Sequence, residues 1–143
     1  MNLHPALPNG PVGLWQDVVW QLIASHAAES GAHTFLVTEE LDRGPAIAFA
    51  RVSLRGKPFD DLWPGVDPAT AAHLRAARNE THPLFQAIRQ AEVRREPPLV
   101  VETLRMLSGG RARIAGGAVL DCEGRAAAPR DLTAVVDAAL AQP

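Results

Sequence analysis

From Val12 onward apolar residues recur at spacings of three and four: Leu14, Trp15, Val18, Val19, Leu22 and Ile23, continuing to His26 and Ala27. A single broad stripe of this kind is the buried face of an amphipathic helix. It predicts a helix over 12–29, opened by Pro11 and closed by Gly31 as the left-handed residue beyond its end. The period then changes. The stretches HTFLVTE (33–39) and AIAFARVSL (46–54) are short and rich in β-branched and aromatic residues, and ELDRGP between them carries the Asp, Gly and Pro of a turn. They read as two antiparallel strands. Neither face of the second is strongly polar, which predicts a central strand or one covered on both sides.

RGKPFDDLWPGVDP (55–68) reads as a loop by its glycine and proline content, yet it carries Phe59, Leu62, Trp63 and Val66, which either cap the domain's own core, the reading slightly favoured, or form a contact patch for another chain. Asp67 and Pro68 have the order of an N-cap and first helical position, opening a helix to about Arg78. Thr81 and Pro83 start another, with Leu84, Phe85, Ile88 and Ala91 on one side. Pro97 and Pro98 end it at or before Glu96. Residues 99–107 fit both periods, and their β-branched content favours a strand, with RARIAGGAVLD (111–121) as its antiparallel partner. Gly116 and Gly117 then mark a bulge or bend, DCEG (121–124) a turn, and 129–141 a last helix with Leu132, Val135, Val136, Ala139 and Leu140 on its stripe.

The resulting order is α-β-β-α(α)-β-β-α. Hairpins separated by helices, without βαβ alternation, predict the α+β class: an antiparallel sheet of about four strands with helices packed on it. Residues 1–10, with Pro5, Pro8 and Gly10, read as an irregular lead-in to a single domain over 11–143. The chain has 143 residues, 47% of them hydrophobic, which suits one core. No apolar run approaches the roughly 18–20 residues that cross a bilayer. The start of the chain has no basic segment followed by an apolar one, so a cytoplasmic protein without a membrane partner is expected.

The net charge of -2 conceals an uneven distribution, because residues 73–113 hold eight arginines against four acids. A basic face could meet nucleic acid or an acidic partner. The overall negative charge, a single lysine and few aromatics argue against nucleic acid.

Candidate chemistry is sparse. SGGRARIAGGAVLD (108–121) has glycines and arginines, but a phosphate-gripping loop needs a helix N-terminus after its glycines, and β-type residues follow here. His73 with His82, and His26 with His33, lack the i, i+4 spacing of a metal-binding helix. Glu39 and Glu40 would point to opposite faces of a strand. The lone Cys122, flanked by Asp121 and Glu123, reads as a buried or inert thiol.

No catalytic, cofactor-binding or metal-ligating residue is assigned, no cofactor is expected, and the balance leans away from an enzyme. The leading expectation is a protein-interaction or accessory domain, partnered by a second copy of itself or by another protein. Its contact would use Phe59, Leu62 and Trp63 with Arg75 and Arg78. The alternative is a small-molecule-binding protein or small enzyme with a pocket near Asp60, Asp61, His73 and His82. Weak nucleic-acid binding through the arginine-rich middle third is the remaining reading.

Overall fold

The computed structural model describes residues 1–40 and 43–142. Its elements are β1 (Asn2–His4), α1 (Trp15–Ala24), β2 (Glu29–Phe35), β3 (Ala46–Ser53), α2 (Phe59–Leu62), α3 (Pro68–Ala76), α4 (Pro83–Val93), α5 (Glu96–Ser108), β4 (Arg113–Ala115), β5 (Ala118–Leu120), β6 (Arg130–Asp131) and α6 (Thr133–Leu140). The turn expected over 40–45 lies partly outside the described residues.

Strands β1, β2, β3 and β6 form one sheet in that order, and β4 with β5 a separate two-stranded one. The four-stranded α and β architecture is as expected, but its antiparallel character is not. β1–β2 and β2–β3 pair antiparallel, whereas β6 runs parallel to β3, with Ala48 opposite Arg130 and Phe49 opposite Asp131. The expected irregular lead-in also contributes a strand, because Asn2, Leu3 and His4 pair with Phe35, Thr34 and His33.

The largest departure is at 99–107, which is not a strand but the body of α5. Leu99, Thr103 and Met106 are its buried residues, at helical spacing. Pro97 and Pro98 fall in its first turn, where backbone N–H groups have no intrahelical partner and proline costs nothing. They separate α4 from α5 and so begin a helix as well as ending one. Without its expected partner, the 111–121 segment folds on itself. Gly116 and Gly117 are the two-residue hairpin turn between β4 and β5, both at positive φ (58° and 76°), which glycine adopts without strain.

α1 is shorter than its apolar stripe. It stops at Ala24, where His26 takes the left-handed conformation (φ 49°), with Ala27 N–H bonded to Leu22 O and His26 N–H to Ile23 O. Gly31, expected to close the helix, lies instead inside β2. A Cβ there would overlap the Ala50 carbonyl and reach Leu7 Cδ2 at 2.8 Å. The variant Gly31→Ala is therefore expected to lose about 1–3 kcal/mol of stability, read as the shift of a urea unfolding midpoint. An unchanged midpoint would show that the β2–β3 spacing is not set by this contact. The N-cap reading of Asp67 holds: its Oδ1 accepts from Thr70 N–H at 2.7 Å, and that bond holds the carboxyl below the usual carboxylate range.

Two apolar clusters hold these elements. In one, α1, α2 and α4 bury Val18, Val19, Ile23, Phe59, Trp63, Leu84, Phe85 and Ile88 with Leu54 and Val66. In the other, the small side chains Ala32, Ala48 and Ala50 let Leu99 and Met106 of α5 and Val136 of α6 pack close to the sheet. β3 lies between β2 and β6, the central place its apolar faces predict.

Candidate functional site

Strand register assembles the candidate site. His4 is the cross-strand partner of His33, and His33 of Phe49, so three adjacent strands place a His–His–Phe row on one face of the sheet. This is the face opposite the Ala32, Ala48 and Ala50 positions, which alternate with it along β2 and β3. The imidazoles of His4 and His33 meet edge to face with ring centroids 5.5 Å apart, and both are buried.

Both rings are oriented by backbone carbonyls of the segment that follows β1. His4 Nε2 donates to Pro11 O at 2.9 Å, and His33 Nδ1 donates to Ala6 O at 2.7 Å. A carbonyl can only accept, so in a neutral ring the basic nitrogen is Nδ1 of His4 and Nε2 of His33. A cleft of about 670 Å³ opens over this pair. Leu7, Pro8, Asn9, Pro11 and Val12 wall it on one side, and Arg43, Gly44, Pro45 and Pro129 on the other. Proline-rich walls keep the cavity preformed, since each ring fixes a backbone dihedral. A shallower groove shares Leu7, Pro8 and Pro129 with it and continues past Phe49 to Glu29 and Arg51.

Among protein side chains, imidazole is the group best suited to exchange a proton near neutral pH. Two of them, buried, oriented and facing a cleft of ligand size, form the described arrangement best suited to chemistry on a small molecule. Little along the chain announces it. His4 stands in a three-residue strand, too short to show alternation, and His33 was legible as a strand residue but not as the partner of His4.

The residues singled out in the sequence are placed elsewhere. Phe59 and Trp63 are core, at 6% and 9% exposure, and Leu62 is packed against the same cluster. Arg75 pairs with Asp17 at 3.1 Å, and with Arg78 it lines a second cleft, of about 600 Å³, beside α1 and α3. Asp60, Asp61, His73 and His82 are not brought into one pocket. Asp60 Oδ1 accepts from Gly56 N–H, Asp61 pairs with Lys57, His73 is exposed on α3, and His82 Nδ1 accepts from Leu84 N–H at the start of α4. Cys122 is exposed in the turn after β5, not buried.

No family model and no curated protein matches the sequence. The fold has a likeness among solved structures. It is similar to the phosphoribosylglycinamide formyltransferase (purN) of Coxiella burnetii, solved in complex with CHES, with a TM-score of 0.50 and 23% identity over 91% of this chain and 49% of that one. The enzyme of the same name from Anaplasma phagocytophilum aligns with a TM-score of 0.48 and 19% identity, over 92% of this chain and 51% of that one. The chain thus spans about half the length of these two structures. The expectation of a non-enzymatic interaction or accessory domain is corrected on two grounds: the fold is similar to that of a solved formyltransferase, and the aromatic segment on which the expectation rested is interior. Among the described residues no helix is long and apolar enough to cross a membrane.

Proposed function

We propose that the cleft over His4 and His33 binds a small amine-bearing molecule and supports transfer of a formyl group to it. The buried, oriented histidine pair facing the cleft is the observation that carries this reading. The formyltransferase-like fold supports the choice of group transferred.

The chemistry asked of the site is limited. The amine nitrogen attacks the formyl carbon of a donor, and the His4 imidazole takes up the amine proton as the new C–N bond forms. The bond from the formyl carbon to the donor's leaving atom then breaks, and the leaving group departs with the donor's electron pair. The proton held by His4 is returned to it or to water. His33, fixed across the strand pair, packs against the His4 ring and holds its angle.

The test uses an activated donor, 4-nitrophenyl formate, with β-alaninamide as the amine, following nitrophenolate release together with the N-formyl product. Wild-type protein is expected to raise the rate of N-formylation above that in buffer. His4→Gln should lower the enhancement roughly a hundredfold while the thermal melt stays within a few degrees. A wild-type rate equal to the buffer rate would overturn the transfer reading.

A further inference from the structure

Arg43 lines the same cleft as His4 and His33, is exposed, and has no hydrogen bond, ion pair or ring contact among the described residues. Several other arginines are tied down, as Arg51 is to Glu29 and Asp131, Arg75 to Asp17, and Arg95 to Asp137, whereas Arg78, Arg94, Arg111 and Arg130 share Arg43's lack of a partner among the described residues but do not line this cleft. The backbone beside Arg43 is held in place. Leu36 N–H bonds to Pro45 O at 3.0 Å, and Gly44 sits so close to Leu36 that a Cβ would overlap its carbonyl. A charged side chain on an anchored backbone, at the edge of a cleft with no internal partner, is placed to meet a charge brought by a ligand.

We propose that Arg43 is a specificity-determining residue of this cleft, pairing with a carboxylate carried by the small molecule whose amine lies against His4. The proposal rests on the small-molecule reading of the cleft and adds the class of ligand to it. A carboxylate is favoured over a phosphate on two observations. Arg43 is the single guanidinium among the described lining residues, and its planar fork matches a carboxylate in a bidentate pair. Among the described residues no helix N-terminus contributes to the cleft, since α1 begins at Trp15, beyond the last lining residue before it, Val12. Helix termini supply the row of N–H donors on which phosphate sites commonly draw.

Three probes of matched length separate the outcomes: β-alanine, which carries an amine and a carboxylate; β-alaninamide, in which an uncharged carboxamide replaces the carboxylate; and O-phosphoethanolamine. Binding is read from the imidazole resonances of His4 and His33 in the wild type, Arg43→Gln and Arg43→Lys, at low ionic strength so that screening does not mask the pair. β-Alanine is expected to shift both imidazoles and to bind about tenfold more tightly than the amide. Arg43→Gln should erase that preference without changing amide binding, and Arg43→Lys should keep part of it.

Equal affinity for β-alanine and the amide in the wild type, or a preference that survives in Arg43→Gln, overturns the role of Arg43 while leaving the histidine cleft as a small-molecule site. Tighter binding of phosphoethanolamine than of β-alanine overturns the carboxylate in favour of a phosphate. Absence of any imidazole shift with all three probes overturns the cleft reading and this inference together.

Discussion

Trp63→Ala is expected to destabilise the fold by about 3–5 kcal/mol and to leave the oligomeric state of the protein as it is in the wild type. The ring is 9% exposed and sits in the cluster shared by α1, α2 and α4. It stacks on His26 at 5.0 Å, and its Nε1 donates to the Leu54 carbonyl at 2.8 Å. Truncation therefore removes a large apolar group, leaves a cavity, and strips a carbonyl in the core of its partner. Trp63→Phe separates these contributions. It keeps most of the packing and loses the indole bond, for an expected cost of about 1 kcal/mol. Urea unfolding gives the stability and light scattering after size exclusion gives the mass. A variant as stable as the wild type that changes the mass would return this segment to the surface and sink the interior placement.

A second large effect is expected from Glu92, a carboxyl placed where the fold offers little water. Glu92 is buried, with Ser30 Oγ donating to its Oε1 at 2.7 Å, while its Oε2 has no hydrogen-bond partner among the described residues. Arg89 Nη1 is 3.9 Å from Oε2, beyond hydrogen-bond range. Burial dominates these contacts and pushes the carboxyl up from 4.5 to about 8, although the Ser30 hydrogen bond and the Arg89 charge both act to lower it.

The consequence for stability has a definite sign. Below pH 4.5 both folded and unfolded chains carry the proton and Glu92 costs nothing. Between 4.5 and 8 the unfolded chain releases a proton that the folded chain retains, so stability falls as pH rises and levels off above 8. At pH 7 the loss is about 3 kcal/mol, taking 1.36 kcal/mol per pH unit over that interval. The carboxylates held below their usual range, such as Asp67 and Asp121, act in the opposite direction and at lower pH, below their ordinary 3.8. Glu92→Gln, which cannot ionise, should be more stable than wild type at pH 7 and should flatten the profile between pH 5 and 8. Urea midpoints across that range measure it. A wild-type profile already flat there would mean that Glu92 is ionised in the folded protein at no cost.

Several parts of this fold are written locally. The stripe from Val18 to Ile23 demands a helix whatever surrounds it, because one face of a 3.6-residue period is continuously apolar. Asp67 followed by Pro68 marks the start of α3, since a capping carboxylate and a residue lacking N–H suit only that end of a helix. The β-branched character of β3 and its pair of apolar faces foretell a central strand. The acids and glycine of 121–124 foretell a turn, because Gly124 adopts positive φ and Asp121 accepts backbone N–H groups within a few residues.

Other parts depend on contacts far apart in sequence. Residues 99–107 carry both periods, and only the sheet face of Ala32, Ala48 and Ala50 selects the helix, by accepting Leu99 and Met106 at helical spacing. Strands β1 and β6 are three and two residues long, so neither repeats a pattern often enough to announce itself, and each exists because a neighbouring strand offers its backbone groups. The aromatic segment at 59–63 reads either as a core cap or as a contact patch in a proline- and glycine-bearing stretch, and only the space that α1 and α4 leave, which its side chains fill, selects the core cap. The candidate site belongs to this second kind. His4, His33 and Arg43 are unremarkable along the chain. Strand register sets the two imidazoles against each other, and the Leu36–Pro45 contact fixes the backbone next to the arginine. Local sequence determined the helices, caps and turns of this protein through short-range sterics and hydrogen bonding. Which faces meet, and so where the chemistry sits, was decided by burial and strand pairing between residues tens of positions apart.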